Sequence, residues 1–244
     1  MIQQLLKSAL QNNVRAAWLT QSLFTKTLGY LFRSYAPGES VLELKKKWAQ
    51  EILDLLGFEV DAQGKAPVNE SVLLVGNHIS YIDIIVLMSV HPQVVFLAKK
   101  EVSKWPVIGP AARRVGTLFV DRNNKNDRKK ARQEIHTLLA SGSHHLAVFP
   151  SGTTTLDEDL PWKRGIFEIA ADQNLPIQTF CITYEPKRIS AYIDDDNLVL
   201  HLFKLFKTPD KRVKFRWLKM YQPASEEEFI ERLRHDTRTA IKSL

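Results

Sequence analysis

From residue 71 onward, short apolar stretches alternate with stretches of helical periodicity, and few architectures accept that alternation. The predicted strands are "SVLLVG" (71–76), "QVVFLAKK" (93–100), "GTLFVDR" (116–122), "HLAVFP" (145–150) and "PIQTFCITY" (176–184). Helical stretches fall between them: "YIDIIVLMS", stopped by His91-Pro92, a polar segment from 126 to 140, and a segment near 163–173. The chain closes with a strand in "KRVKFRWLKMY" and a helix in "SEEEFIERLRHDTRTAIKSL". Strands separated by helices predict an α/β domain with a largely parallel central sheet flanked by helices. Upstream, a helix from Val41 to Leu56 ends at Gly57, and "FEVDAQGKAP" reads as a short strand and turn. The expected division is an N-terminal helical segment over 1–56 and an α/β domain over 57–244. In such sheets ligands bind beyond the carboxyl ends of the strands, so polar motifs there are the first candidates for a site.

The N-terminal segment has its own character. Residues 1–38 carry Lys7, Arg15, Lys26 and Arg33 and no acidic residue. Ile2, Leu5, Leu6, Ala9, Leu10, Val14, Ala17 and Trp18 recur at helical spacing, and Leu28, Leu31 and Phe32 resume it. No apolar run approaches the ~18 residues of a spanning helix. The segment reads as an amphipathic helix in a membrane interface; a helix packed on the domain and an acid-poor targeting peptide are the alternatives. The net charge of +7 likewise asks for an anionic partner, whether membrane surface, anionic substrate or nucleic acid. The basic runs "NNKNDRKKAR" and "FKLFKTPDKRVKFRWLKMY" match no nucleic-acid motif, so no nucleic-acid partner is expected. Cys181, the sole cysteine, lies in an apolar run and reads as a buried, inert thiol.

Three motifs carry the chemistry. In "VGNHISYIDIIVL" (75–87), Ser80 and Asp83 have the spacing of a capping box, which accounts for the aspartate without catalysis. It does not account for His78 at a strand end. From the loop before the helix, the His78 ring can fold back onto a first-turn carboxylate. Asp83 on Nδ1 would fix the tautomer and leave Nε2 as a general base. "GTLFVDR" ends in Arg122, either a surface arginine or a guanidinium for a phosphate or carboxylate. "FPSGTTT" (149–155) sets Gly152 among hydroxyls directly after a strand, either a turn or an anion site. Without a Gly-x-Ser-x-Gly elbow, Ser151 is not expected to be a nucleophile. His144-His145 lack spaced partners, so no metal site is expected.

Taken in order, these motifs resemble the glycerol-phosphate and lysophosphatidate acyltransferase superfamily. Its blocks appear here as Asn77-His78 to Asp83, Gly116 to Phe119 to Arg122, Phe149-Pro150-Ser151-Gly152-Thr153 and Pro176-Ile177, with "WKRGIF" (162–167) as the basic-Gly-apolar segment. The resemblance covers about residues 70–185. It implies transfer of a fatty acyl chain from acyl-CoA or acyl-carrier protein to the hydroxyl of a lysolipid, foremost 1-acylglycerol 3-phosphate, giving phosphatidate. Another lysolipid, such as a lyso-amino-acid lipid, is the alternative acceptor; a non-catalytic lipid-binding protein is the alternative outside catalysis. His78 and Asp83 would be catalytic, and Gly116, Arg122, Ser151, Gly152 and Thr153 would bind the acceptor. No cofactor is called for, and the protein is expected at a membrane surface, peripheral and facing the cytoplasm. One departure stands out: Ser151 occupies the position where the family usually carries glutamate, which bears on the acceptor more than on the reaction.

Overall fold

The computed structural model describes residues 2–32, 40–68, 70–121, 123–140, 142 and 144–244, with side chains in the first helix described from 13 to 31. Helix α1 (Ile2–Phe32) and helix α2 (Val41–Leu56) precede strand β1 (Phe58–Gln63). Ser40 caps α2 by accepting the Leu42 amide, and Gly57 terminates it with a left-handed backbone. The predicted alternation then follows: β2 (Leu73–Gly76), α3 (Ile82–Val90), β3 (Val94–Lys99), β4 (Leu118–Val120), α5 (Lys125–Ala140), β5 (His145–Val148), α6 (Gly165–Asp172) and β6 (Ile177–Glu185). Between β3 and β4 the chain makes a 3₁₀ turn (Lys100–Lys104) and helix α4 (Ile108–Arg114). A short helix α7 (Lys187–Ser190) and a longer α8 (Leu198–Lys207) precede β7 (Lys211–Tyr221) and α9 (Glu227–Lys242).

The seven strands form one sheet in the order β1-β7-β6-β2-β5-β3-β4. Every pair is parallel except β6 with β7. The architecture is therefore the expected α/β one. The carboxyl ends of β2, β3, β4 and β5 consequently lie along one rim. Alternation along β2 builds a core on each face of the sheet. Val72 and Leu74 join Ile52, Leu53 and Leu56 of α2, Ile82 and Val86 of α3 and Leu202 of α8. Leu73 and Val75 join Ile135 of α5, Phe167 of α6, Trp162 and Leu233 of α9. Gly76 has a specific cause: a Cβ there would come within 2.5 Å of the Phe180 ring and 2.6 Å of its carbonyl. Only glycine lets β2 and β6 approach this closely.

The first two helices are less separate than the division at 56/57 suggests. Six residues of α2, including Ala49, Ile52 and Leu56, are buried in the face that packs on the sheet. Helix α1 is held on α2 by Lys26, which reaches Glu51 at 3.0 Å, and by Tyr30, whose hydroxyl donates to the same carboxylate at 3.1 Å. Lys26 thus belongs to an ion pair within the protein, while Val14 (62% exposed) and Trp18 (63%) on the same helix face outward.

At the opposite rim, His91 and His145 meet edge to face with ring centroids 4.6 Å apart, both buried. His91 Nε2 and His145 Nδ1 have no hydrogen-bond partner among the described residues. Burial pushes both rings down to about 4, helped for His91 by His145 and the buried Lys45 and for His145 by His144. Because the folded values lie below the unfolded ~6.5, the unfolded chain binds more protons as pH falls. Stability is intact above pH 6.5 and is lost between there and pH 4, by at most ~3.5 kcal/mol per ring at ~1.4 kcal/mol per unit. The urea midpoint should fall steeply from pH 6.5 to 4.5. A His91→Gln, His145→Gln double variant should flatten that slope; an unchanged slope would assign acid sensitivity elsewhere.

Candidate active site

The site begins where β2 ends. Asn77 continues the β2–β6 ladder with its side chain, donating Nδ2–H to the Ile182 carbonyl (2.8 Å) and accepting the Ile182 amide on Oδ1 (2.9 Å). A side-chain amide here substitutes for backbone pairing and fixes where the chain turns off the sheet. The His78 carbonyl accepts the Thr155 amide at 2.8 Å, and the Ile79 carbonyl accepts the Tyr192 amide at 3.0 Å. The turn is therefore tied to three different parts of the chain.

His78 is oriented on two sides. Its Nδ1 lies 2.7 Å from Asp83 Oδ2, and its ring stacks on Phe149 with centroids 3.9 Å apart and planes 10° from parallel. The side chain keeps 17% exposure, whereas Asp83 is fully buried. Asp83 Oδ2 also accepts the amides of Ile79 (2.7 Å) and Ser80 (3.0 Å), and Oδ1 accepts the hydroxyl of Tyr184. Three donors and the His78 ring nitrogen thus converge on its two oxygens, an arrangement that suits an acceptor-only carboxylate. The contact suits a tautomer with the proton on Nδ1, which would leave the Nε2 lone pair free as a general base requires.

Helix support and the orientation of His78 fall to one side chain. Asp83, in the first turn of α3, reaches back to the preceding amides as the acid of a capping box does. The other half of the box is missing, because the Ser80 hydroxyl has no hydrogen-bond partner among the described residues and Tyr81 occupies the N-cap without a side-chain capping bond.

The remaining candidates sit along the same rim with different duties. Gly152 and Thr153 line a cavity together with His78 and Phe149. The Gly152 amide donates to the Phe149 carbonyl at 3.0 Å, so it closes a turn. Ser151 is buried, and its hydroxyl donates to the Thr153 carbonyl at 3.1 Å. Gly116, at φ +83°, turns the chain from α4 into β4, between the cavity-lining residues Val115 and Thr117. Arg122 lies outside the described residues. Cys181 is buried as expected, and burial pushes its thiol up to about 11, which leaves it a poor nucleophile.

The cavity measures about 480 Å³ and runs from His78 between the sheet and the first helices. Its wall is mostly apolar: Leu23, Phe24 and Leu31 of α1, Trp48 of α2, Ile84 and Met88 of α3, and Phe96 of β3. That volume lies within the ~300–1,000 Å³ of small-molecule sites. Lys99, exposed at the end of β3, brings a cation to its lining. No group of three or more potential metal ligands occurs among the described residues.

Sequence reasoning missed Tyr184, Lys99 and the cavity. Tyr184 carried a readable signal, since a tyrosine in an apolar run needs a partner for its hydroxyl. Burial and the negative Asp83 beside it raise the hydroxyl well above the usual range, so it remains a donor. The cavity carried no such signal, because its wall is assembled from segments distant in sequence.

Comparison with known proteins bears on the family and the fold. The family described as Acyltransferase matches residues 57–183. The lyso-ornithine lipid O-acyltransferase of Pseudomonas aeruginosa is 34% identical over 184 residues, 72% of this chain and 70% of that protein. The 1-acyl-sn-glycerol-3-phosphate acyltransferase of Neisseria gonorrhoeae is 31% identical over 139 residues; the match spans 57% of this chain and about half, 53%, of that relative. The crystal structure of the 1-acyl-sn-glycerophosphate acyltransferase of Thermotoga maritima superposes with a TM-score of 0.70 over 96% of this chain and 95% of that one. At 18% identity, it speaks for the fold alone.

Proposed function

We propose that this chain, which belongs to the acyltransferase family, transfers a fatty acyl group from a thioester to the hydroxyl of a lysolipid. The carrying observation is a base at the mouth of an apolar cavity. Asp83 holds His78 by Nδ1, and the His78 ring lines a cavity of about 480 Å³. The acyl chain occupies the apolar cavity and the thioester carbonyl lies at His78. Nε2 takes the proton of the acceptor hydroxyl as its oxygen bonds to the carbonyl carbon. The tetrahedral intermediate then breaks its C–S bond, and the imidazolium returns the proton to the leaving thiolate. Asp83 stabilises the imidazolium throughout, and no covalent enzyme intermediate is formed.

The proposed acceptor is 1-acylglycerol 3-phosphate, with acyl-CoA or acyl-carrier protein as donor. Lys99 supports an anionic headgroup, and Arg122, on the segment that follows β4, is proposed to join it. A second acceptor is favoured by a separate observation. The relative from Pseudomonas aeruginosa, matched over more of its length than the Neisseria one, is named for lyso-ornithine lipid, whose headgroup carries an amine as well as a carboxylate. Purified protein given one labelled acyl thioester and both lysolipids in competition tests this. Preferential labelling of the phosphate lipid supports the first acceptor, preferential labelling of the ornithine lipid replaces it, and labelling of neither removes the proposal.

The active site must meet lipid, and α1 is proposed to bring it there. No described helix is long and apolar enough to cross a membrane. Val14 and Trp18 nevertheless stand exposed beside Arg15 on α1, apolar side chains next to a cation. The same helix lines the cavity through Leu23, Phe24 and Leu31, so deleting it would open the site as well as release it. Point variants separate the two effects. Val14→Asp with Trp18→Asp should weaken binding to anionic vesicles at least ten-fold and leave the melting temperature within a degree or two. Undiminished binding would move the membrane contact to another surface.

A further inference from the structure

A second carboxylate is buried beside the catalytic turn, and the reaction described above does not use it. Glu158 is 4% exposed. Its Oε1 accepts the Trp162 indole N–H at 2.6 Å, while Oε2 has no hydrogen-bond partner among the described residues. It lies in the loop that follows β5, which is closed on itself by the Lys163 amide donating to the Pro150 carbonyl at 3.0 Å. The same loop is stitched to the catalytic turn by the Thr155 amide on the His78 carbonyl. From α9, Arg234 donates to the carbonyls of Glu158 and Asp159, and Arg238 reaches the Asp159 carboxylate at 2.7 Å. The loop backbone is thus clamped, and a buried acid is held within it.

Asp83 and Glu158 belong to segments that pack into different cores. Asp83 projects from α3, whose apolar residues pack on one face of the sheet. Trp162, which holds Glu158, packs on the other. Burial raises the Glu158 carboxyl above the usual range; the Trp162 indole, the His78 amide, the His78 ring and Arg234 all oppose that rise. A buried carboxyl left with a bare oxygen is costly unless a positive charge develops near it. The imidazolium formed at His78 during proton transfer is such a charge.

We propose that Glu158 is a positioning residue of the reaction: its carboxylate, buried in the loop that Thr155 ties to the His78 carbonyl, supports the protonated form of His78 jointly with Asp83. It supplies a negative charge near the third block, where Ser151 supplies none. The inference rests on the reading of His78 as the base, and its test does not depend on turnover. The imidazole nitrogens of His78 are followed by NMR as pH is varied, with the signal assigned by its loss in His78→Ala. Glu158→Gln keeps the shape and the Trp162 hydrogen bond but removes the charge. The His78 midpoint should then fall by about half a pH unit or more, the scale of one nearby charge in a partly solvated site. The acidic limb of kcat/KM should move to lower pH by the same amount, a change that loss of packing alone would not produce. Asp83, Tyr184 and Arg234 are unaltered in the comparison. An unmoved His78 midpoint in a folded Glu158→Gln protein overturns the proposal. If that variant does not fold, the wild-type protein carries the test: the Glu158 carboxyl carbon should show an inflection as His78 titrates, and its absence overturns the proposal equally. Activity retained by His78→Ala would instead overturn the assignment of the base.

Discussion

His78→Ala is expected to lower acyl transfer by about 10²–10⁴-fold, the range of a general base. The ring makes few contacts that the fold needs. Its backbone carbonyl holds Thr155 and would still do so in the variant, while the ring loses its stack on Phe149 and its bond to Asp83. Asp83 keeps the amides of Ile79 and Ser80 and the Tyr184 hydroxyl. The thermal midpoint should therefore move by only a few degrees. Donor binding should survive, because the apolar cavity is formed by other residues. Turnover within a factor of about three of wild type would remove His78 from the chemistry, since that lies far below the general-base range.

Asp83→Asn is the second large effect, and it separates two duties that one side chain combines. Asparagine keeps an oxygen for the Ile79 and Ser80 amides, but it loses the charge that stabilises an imidazolium. Turnover should fall at least about 10²-fold, on the scale of a misoriented or unsupported base. A stability loss of roughly 1–3 kcal/mol should accompany it, because a buried carboxylate with four partners is replaced by a group that suits them less well. Measuring both quantities on one preparation decides the matter. A stability loss with near-normal turnover would leave Asp83 as a helix-supporting residue only.

The sequence and the structure agree where local chemistry determines the outcome. Strands such as 71–76 and 145–150 are legible because their apolar character and their turn residues act locally. Asp83 is legible twice over, as cap and as partner of His78, and the structure shows the two readings to be compatible. Helix α8 escapes the sequence reading although Asn197, directly before "LVLHLFKLFK", caps it by accepting the Val199 and Leu200 amides. The turn that holds Gly152 is half legible: glycine after a strand signals a special backbone, at φ +80°, but not which amide would be left free. The Gly152 amide is taken by Phe149, and the Ser151 hydroxyl by Thr153. Tyr184 and Glu158 approach the site from positions about a hundred and about eighty residues downstream of His78, respectively, only after the sheet and the loop have formed; no spacing rule reaches that far. The same holds for a cavity walled by α1, α2, α3 and β3.

Direct transfer between thioester and hydroxyl, with His78 as the base, leaves no acyl group on the enzyme. It is tested most directly by mixing purified protein with a radiolabelled palmitoyl thioester and 1-acylglycerol 3-phosphate and quenching in acid at short times. A labelled two-chain lipid should form in step with free thiol, denatured protein should carry no label at any time, and both products should be lost in His78→Ala. Label that appears on the protein before the lipid, or thiol released without any two-chain lipid, would contradict it.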